Sequence, residues 1–267
     1  MRLTIVIPSF NQGLLIGETF DSLLNQDQGI DLEVLIMDGG STDSSLAVIQ
    51  EYLPKLKNRN YRVISVSEPD EGQSDAINKG FRLATGEIVT YLNSDDYLEP
   101  NVVKKILDRF GEHDHPRWGY GGWRYVNYER RIYKTVQPVT FSYQRLQAIC
   151  NIMQPSCFYR RDFLFEVGLL NKDLHLAMDY DLWLRMAKIT EPVILPWIIS
   201  NARYYMNTKS SKRAYEHLRE TFQLQRKYSK GLYLRAVQIF YYLRAVIITA
   251  MKFDINYRIE LVRKFHE

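Results

Sequence analysis

A chain of 267 residues, 46% of them hydrophobic and 25% charged, has the composition of an ordinary soluble globular protein and is ample for a real core. Its two cysteines, Cys150 and Cys157, fit neither a metal spacing nor a disulfide framework, so two reduced, packed thiols are expected. The net charge of +4 hides an asymmetry: residues 1–100 carry 7 Lys/Arg against 16 Asp/Glu, a balance of −9, and residues 101–267 carry 28 against 15, a balance of +13.

Met1 and Arg2 lead straight into Leu3 to Ile7, a first strand ended by Pro8. Nothing there resembles a signal peptide, and a cytoplasmic protein is expected. Leu14 to Leu24 has helical apolar spacing, Leu32 to Met37 reads as a second strand, and Leu46 to Leu56 as an amphipathic helix. The unit repeats with a strand over Tyr61 to Val66, a helix over Asp75 to Ala84 closed by Gly86, and a strand over Ile88 to Leu92. Strands alternating with helices at this spacing predict βαβ crossovers, hence an α/β fold with a mainly parallel sheet flanked by helices.

Each strand runs into a polar, turn-forming cluster: Pro8-Ser9-Phe10-Asn11, then Asp38 to Asp43, Ser67 to Gly72, and Asn93-Ser94-Asp95-Asp96. In a parallel sheet these clusters share one rim and line one crevice. Gly39, Gly40 and Gly72 let backbone approach a ligand closely. Neither GxGxxG nor a Walker A sequence is present, so a nucleotide must be held in another way.

The stretch TGEIVTYLNSDDYLEP, from Thr85, concentrates the chemistry. Adjacent carboxylates with no basic neighbour in sequence repel, unless a hard cation sits between them and a phosphate. Asp95 and Asp96 are therefore read as a metal–diphosphate corner. The plainer alternative is an Asp-rich turn, with Asp96 capping a helix that starts at or before Pro100.

Beyond a helix at Val102 to Phe110 the pattern becomes mixed. Tyr120 to Val126 and Ile132 to Val136 form a hairpin pattern, Phe141 to Ile149 a helical one, Ser156 to Tyr159 a short strand, and Asp179 to Ile189 a helix. After Arg203 the pattern is almost entirely helical, and Arg203 to Arg235 holds nine Lys/Arg against two acidic residues. That surface suits phosphate or anionic lipid, or is a solvated helix face. Leu232 to Met251 comes closest to a membrane span but is interrupted by Arg235 and Arg244. It suits a helix lying at a membrane surface or one packed on the catalytic domain.

Taken together, IVIPSFNQG, LIMDGGSTDSS, SEPDEGQSDAINKGF, TGEIVTYLNSDD, QPSCFYRRDFLFEVG and MDYDLWLRM resemble the family-2 inverting glycosyltransferases of the GT-A fold, over about residues 2–205. Six motifs in the family's order and spacing make the likeness specific. It is closest in kind to bacterial enzymes that build cell-surface polysaccharides on lipid carriers. The resemblance implies a Rossmann-like catalytic domain with a mixed, mainly parallel sheet over 1–205, with 1–100 binding the nucleotide sugar and 101–205 the acceptor, and a helical extension over 206–267. It also implies Mn2+ or Mg2+, a UDP-sugar donor, a glycan or lipid-linked acceptor and no nucleic acid, with peripheral membrane contact through the C-terminal helices.

Carried over by position, Pro8, Ser9 and Asn11 would lie against the nucleoside, and Asp38 would accept a hydrogen bond from the base; a carboxylate accepting from an imide N–H favours uracil. The other reading of Asp38 is a strand-end turn residue. The segment with Gly72, Asp75 and Lys79 would touch the ribose or sugar, although Lys79, one turn from Asp75, is also placed for a plain ion pair. Asn93, Ser94, Asp95 and Asp96 stand where the family has its DxD signature, with Asn93 replacing the first Asp. Asp95 would meet the ribose or the metal, and Asp96 the metal that bridges both phosphates. Two departures stand out. A tyrosine takes the place of a metal-completing His in the stretch Ala202 to Ser210, and Gly122 stands where relatives tend to have Asp.

An inverting transfer needs a base at the acceptor hydroxyl, assigned here to Asp179. Residues two apart on a helix point about 200° from each other, so Asp179 and Asp181 cannot both face one cleft. Asp181 has Arg185 four residues on and is the structural carboxylate; Asp179 has Trp183 there, or else serves as a helix cap. Rival readings are a nucleotidyltransferase, which would want a basic glycine-rich loop after the first strand, and an inactive sugar-nucleotide-binding scaffold.

Overall fold

Alternation at a period of two sends Leu3, Ile5 and Ile7 to one face of the first strand, β1 (Leu3–Ser9), and Val6 to the other. Each side chain enters a separate apolar core, so the sheet is covered on both faces. The protein is described by a computed structural model that covers residues 1–204 and 209–264.

The first half follows the expected alternation: α1 (Ile16–Leu24), β2 (Leu32–Asp38), α2 (Ser45–Asn58), β3 (Arg62–Ser67), α3 (Gln73–Leu83) and β4 (Ile88–Tyr91). Its strands lie in the order β3-β2-β1-β4, all parallel. The chain therefore reverses direction across the sheet between β3 and β4, and the ends of β1 and β4 form the switch point where open α/β sheets bind ligands. One boundary differs from expectation. The backbone turns extended at Ala84 (φ −58, ψ 136), so Gly86 does not cap α3. Gly86 passes β1 so closely that a Cβ would stand 2.8 Å from the Arg2 carbonyl oxygen.

The second half is less regular: β5 (Tyr97–Leu98), α4 (Val103–Phe110), β6 (Trp118–Val126), β7 (Ile132–Val136), α5 (Tyr143–Ala148), a 3-10 turn (Gln154–Ser156), β8 (Cys157–Arg160), α6 (Arg161–Glu166), α7 (Met178–Ala187) and β9 (Val193–Arg203). The sheet continues as β4-β8-β6-β9-β5, with β7 beside β6. Here only β6 and β9 pair in parallel, so the parallel pairing expected from the βαβ pattern lies mainly in the first half and the whole sheet is mixed, as expected. The β6–β7 hairpin is present as expected. Asp96 caps no helix: Val102 is the N-cap of α4, and its N–H and that of Val103 donate to Gln26 Oε1.

Strand β9 has no counterpart in the sequence reading, and Pro196 is the reason, since a proline inside an apolar run argues against a strand. The pairing with β6 jumps from Gly121–Leu195 to Gly122–Ile198. Pro196 sits in that bulge, where its missing N–H breaks no ladder bond.

Three helices complete the described chain: α8 (Lys209–Lys212), α9 (Ala214–Tyr228) and α10 (Leu232–Lys264). A buried amide cluster ties α9 and α10 to α5. Gln225 Nε2 donates to the Ala148 carbonyl at 2.8 Å, and Gln238 Nε2 donates to the Gln147 carbonyl at 3.0 Å and the Gln225 carbonyl at 3.2 Å. Buried amides fully paired in this way fix one arrangement, because any other would orphan them. No helix of the described residues is long and apolar enough to cross a membrane.

Candidate active site

The polar ends of β1 and β4 open into a cavity of about 1280 Å3. Pro8, Ser9, Gly72, Asn93, Ser94, Asp95, Asp96 and Asp179 all line it, so residues from four segments of the sequence meet on one wall system. Ser9 is buried, and its Oγ has no hydrogen-bond partner. The same holds for Gln154 Oε1, also in the lining. Orphaned buried oxygens are costly, by about 1–3 kcal/mol each, and a bound polar ligand relieves that cost.

The acidic corner is built by β4, β9 and α1. Asp96 is buried; its Oδ1 accepts the backbone N–H of Arg203 at 2.8 Å, and its Oδ2 accepts from Asn93 Nδ2 at 3.3 Å. Asn93 is itself held by Gln73 Nε2 at 2.8 Å. The Thr19 hydroxyl donates to the Asp96 carbonyl at 2.8 Å. Contrary to the sequence reading, the pair has a basic neighbour: the fully buried Arg203 guanidinium donates to the Asp95 carbonyl at 3.0 Å and to Glu18 Oε2 at 2.6 Å, and also to the Tyr128 carbonyl. Those bonds go to carbonyls and to Glu18, leaving the two carboxylates short of compensation. Burial pushes the Asp96 carboxyl well above the ordinary range, and the Asp95 charge adds to it. Burial raises Asp95 as well, against the pull of Arg203.

Four of the residues singled out in the sequence do not reach the lining. Asn11 adopts φ 53, and its Oδ1 accepts the Thr42 N–H at 2.9 Å, which ties two rim loops together. Asp38 is buried and accepts from Gly40 N, Ser41 N, Ser41 Oγ and Ser67 Oγ at 2.5–3.1 Å. Burial alone would raise its carboxyl, but these donors hold it below the usual value. Lys79 pairs with Glu68 at 2.9 Å and with Asp75 at 3.4 Å, and Asp75 also meets Lys172 at 3.3 Å. These groups brace the wall from behind.

Asp179 is the second residue of α7, whose N-cap is Ala177, so it is not the cap itself. Its Oδ1 accepts the N–H of Tyr180 at 2.7 Å. Its charge acts on the buried Tyr91 and Cys157, which puts it over the ends of β4 and β8. Asp181 faces the other way: buried, it pairs with Arg185 at 2.8 Å and accepts the Tyr228 hydroxyl at 3.0 Å. Gly122 is walled in, since a Cβ there would stand 2.7 Å from Ile198 and 2.8 Å from the Val136 carbonyl, so no acidic side chain fits at this position. Both thiols are free; Cys157 is packed as expected, whereas Cys150 lines the cavity. Of the stretch Ala202 to Ser210, Tyr204 lies in the lining and residues 205–208 fall outside the described part.

The profile of a family described as "Glycosyl transferase family 2" matches residues 4–168. The chain belongs to that family. A PGL/p-HBAD biosynthesis glycosyltransferase of Mycobacterium tuberculosis is 31% identical over 185 residues, which is 68% of each chain. Among solved structures, S. aureus TarS 1-349 in complex with UDP-GlcNAc has a TM-score of 0.62 at 20% identity, over 84% of this chain and 66% of that one. A mannosyltransferase of Pyrobaculum calidifontis, in complex with GDP-Man and Mn2+, has a TM-score of 0.67 at 18% identity, over 94% of this chain and 73% of that one. The fold is therefore of the GT-A type, and this family-2 protein is a glycosyltransferase.

Several residues of the transferase's site were not legible in its sequence. Arg203 arrives from 107 positions beyond Asp96, and Gln154 from the 3-10 turn. The same holds for the α9 and α10 side chains at the far end of the cavity, such as Leu218, Phe222 and Tyr242. Their only sequence signal was the aromatic content of the helical tail.

Proposed function

We propose that this family-2 glycosyltransferase moves a sugar from a nucleoside-diphosphate donor, UDP first, to a hydroxyl of a glycan or lipid-linked acceptor, with inversion and with a divalent cation. The observation that carries the reading is the Asp95–Asp96 pair in a desolvated corner of the same cavity as the unpartnered Ser9 hydroxyl. A buried and a half-buried carboxylate, both resisting ionisation, are a donor set suited to a hard cation, and the residues present fit one. Among the described residues no cluster of three His, Cys, Asp or Glu could hold a metal, so diphosphate and water would complete the coordination. Asp96, with Asp95, would hold Mn2+ or Mg2+, and the bound ion would neutralise charge on the leaving diphosphate.

In this reading Pro8, Ser9, Gly72, Asn93 and Ser94 bind the donor along the rim, while Phe10, 60% exposed at the cavity mouth, offers an aromatic face to the base. Asn11, Asp38, Asp75 and Lys79 act from the supporting shell, with Asp38 fixing the turn of Gly40 and Ser41. Asp179 takes the acceptor proton as that oxygen attacks the anomeric carbon from the face opposite the diphosphate. Residues 1–205 make up the catalytic part and 206–267 an extension that serves the acceptor and meets the cytoplasmic face of a membrane.

Calorimetry with UDP and with GDP, each in Mn2+ and in EDTA, tests the donor and metal assignments. UDP should bind in Mn2+ and lose at least about tenfold in EDTA, a difference of roughly 1.4 kcal/mol. Asp96→Asn should behave in Mn2+ as the wild type does in EDTA. Equal affinity in both buffers would remove the metal from the mechanism, and tighter GDP binding would replace the nucleotide.

A further inference from the structure

The cavity does not stop at the donor corner. It runs past Asp179 into the space between α9 and α10, where Ile152, Leu218, Phe222, Tyr242, Ala245 and Thr249 form its walls. This end sets aromatic and aliphatic side chains beside His217, Thr221 and Gln225 and carries no carboxylate, in contrast to the acidic end under β4. Phe222 and Tyr242 stack across the two helices with ring centroids 4.5 Å apart. The amide cluster of Gln147, Gln225 and Gln238 fixes both helices to α5, so the apolar end is built into the fold. At about 1280 Å3 the cavity is larger than the ~300–1,000 Å3 typical of a small-ligand site, which leaves room for more than a nucleotide sugar.

A second observation comes from the other side of α10. Its outer face exposes Ile239, Phe240, Leu243 and Ile247, while Tyr242, Ala245 and Thr249 face the cavity. A helix that is apolar on both sides needs an apolar neighbour on both. A free, fully hydroxylated sugar would leave the cavity side uncovered.

Resting on the glycosyl-transfer reading, we infer that the α9–α10 end is an acceptor subsite for the hydrocarbon part of an amphipathic acceptor, an alkyl chain attached to the group whose hydroxyl reaches Asp179. The polar end holds the donor, Asp179 marks the junction, and the first carbons of the chain lie against the Phe222–Tyr242 pair and Ala245. The subsite selects acceptors by what is linked to the reacting sugar.

The test uses the full chain and two probes of one head group, octyl β-glucoside and methyl β-glucoside, below micelle-forming concentration, in calorimetry. Octyl glucoside should bind at least about tenfold more tightly than methyl glucoside. Ala245→Trp, which fills the space, should abolish that preference while UDP affinity in Mn2+ stays unchanged, and Thr249→Trp should do so if the first variant fails to fold. Equal binding of the two glucosides would overturn the subsite, as would octyl binding that survives a folded filling variant, because the detergent would then sit on the outer stripe. UDP binding in the same experiments keeps the two readings apart: its loss in the wild type undoes the transferase reading, whereas its retention with no octyl preference undoes only the subsite.

Discussion

The Glu220 carboxylate accepts the backbone N–H of Ala177 at 3.0 Å, two residues before Asp179. The same side chain accepts from Leu176 at 2.9 Å and His175 at 3.3 Å, so α9 holds the entry to α7 with three hydrogen bonds. A carboxylate at a helix N-terminus satisfies orphan N–H groups and meets the positive end of the helix dipole. Glu220 is thus a positioning residue for Asp179. Glu220→Ala should cost about 1–2 kcal/mol of stability and lower kcat several-fold with UDP affinity unchanged. Glu220→Gln should restore part of both. A fall in UDP affinity that parallels kcat would show that the change spreads to the donor corner.

Asp179 and Asp181 should separate cleanly. Asp179→Asn should abolish transfer and leave melting temperature and UDP binding near wild type. Asp181→Asn breaks the buried pair with Arg185 and the bond from Tyr228, and should cost about 2–4 kcal/mol with transfer partly retained. Kinetics and melting curves of the two variants check this, and the opposite pattern would exchange the roles.

Arg203 is the fully buried cation of the acidic corner. Arg203→Met leaves the Asp95 and Tyr128 carbonyls without their donor and Glu18 with only the longer 3.4 Å pair to Arg130, with an expected loss of about 3–5 kcal/mol. Arg203→Lys should recover little, because one ammonium cannot reproduce the guanidinium fork. Chemical denaturation measures both, and a near-neutral Arg203→Lys would contradict the geometry.

Asp38 makes a pH-dependent contribution. Its folded carboxyl lies below the ordinary value of 3.8, so the stabilisation is complete above that value and disappears as pH falls through the folded one. Asp38→Ala should lose about 2–4 kcal/mol at pH 7, with the difference from wild type shrinking below about pH 4. Melting curves from pH 7 to 3 give the profile. If instead Asp38→Ala melts normally and loses UDP affinity alone, Asp38 recognises the base directly.

The outer face of α10 combines exposed Ile239, Phe240, Leu243 and Ile247 with exposed Arg235 and Arg244. Anionic vesicles should therefore float the protein at low salt and release most of it at high salt. Absence from the vesicle fraction at low salt would assign this face to another partner.

The strand–helix alternation, the rim clusters and the Asp95–Asp96 pair were all legible in the sequence, because each depends on side chains a few positions apart. A period of two sorts Leu3, Ile5 and Ile7 from Val6 whatever lies beyond, and i,i+4 spacing joins Asp181 to Arg185 within one helix. Tertiary structure alone decided what surrounds those residues. Strand β9 was hidden by Pro196, which only its bulge against β6 makes tolerable, and with it went Arg203, the cation that shares the acidic corner. Asp38 looked like a free acceptor until four donors from two segments closed on it, and Glu220 shows its role only where α9 crosses the start of α7. Local spacing specifies which groups a segment presents; their charge, pairing and access depend on partners brought close by folding, which no local pattern encodes.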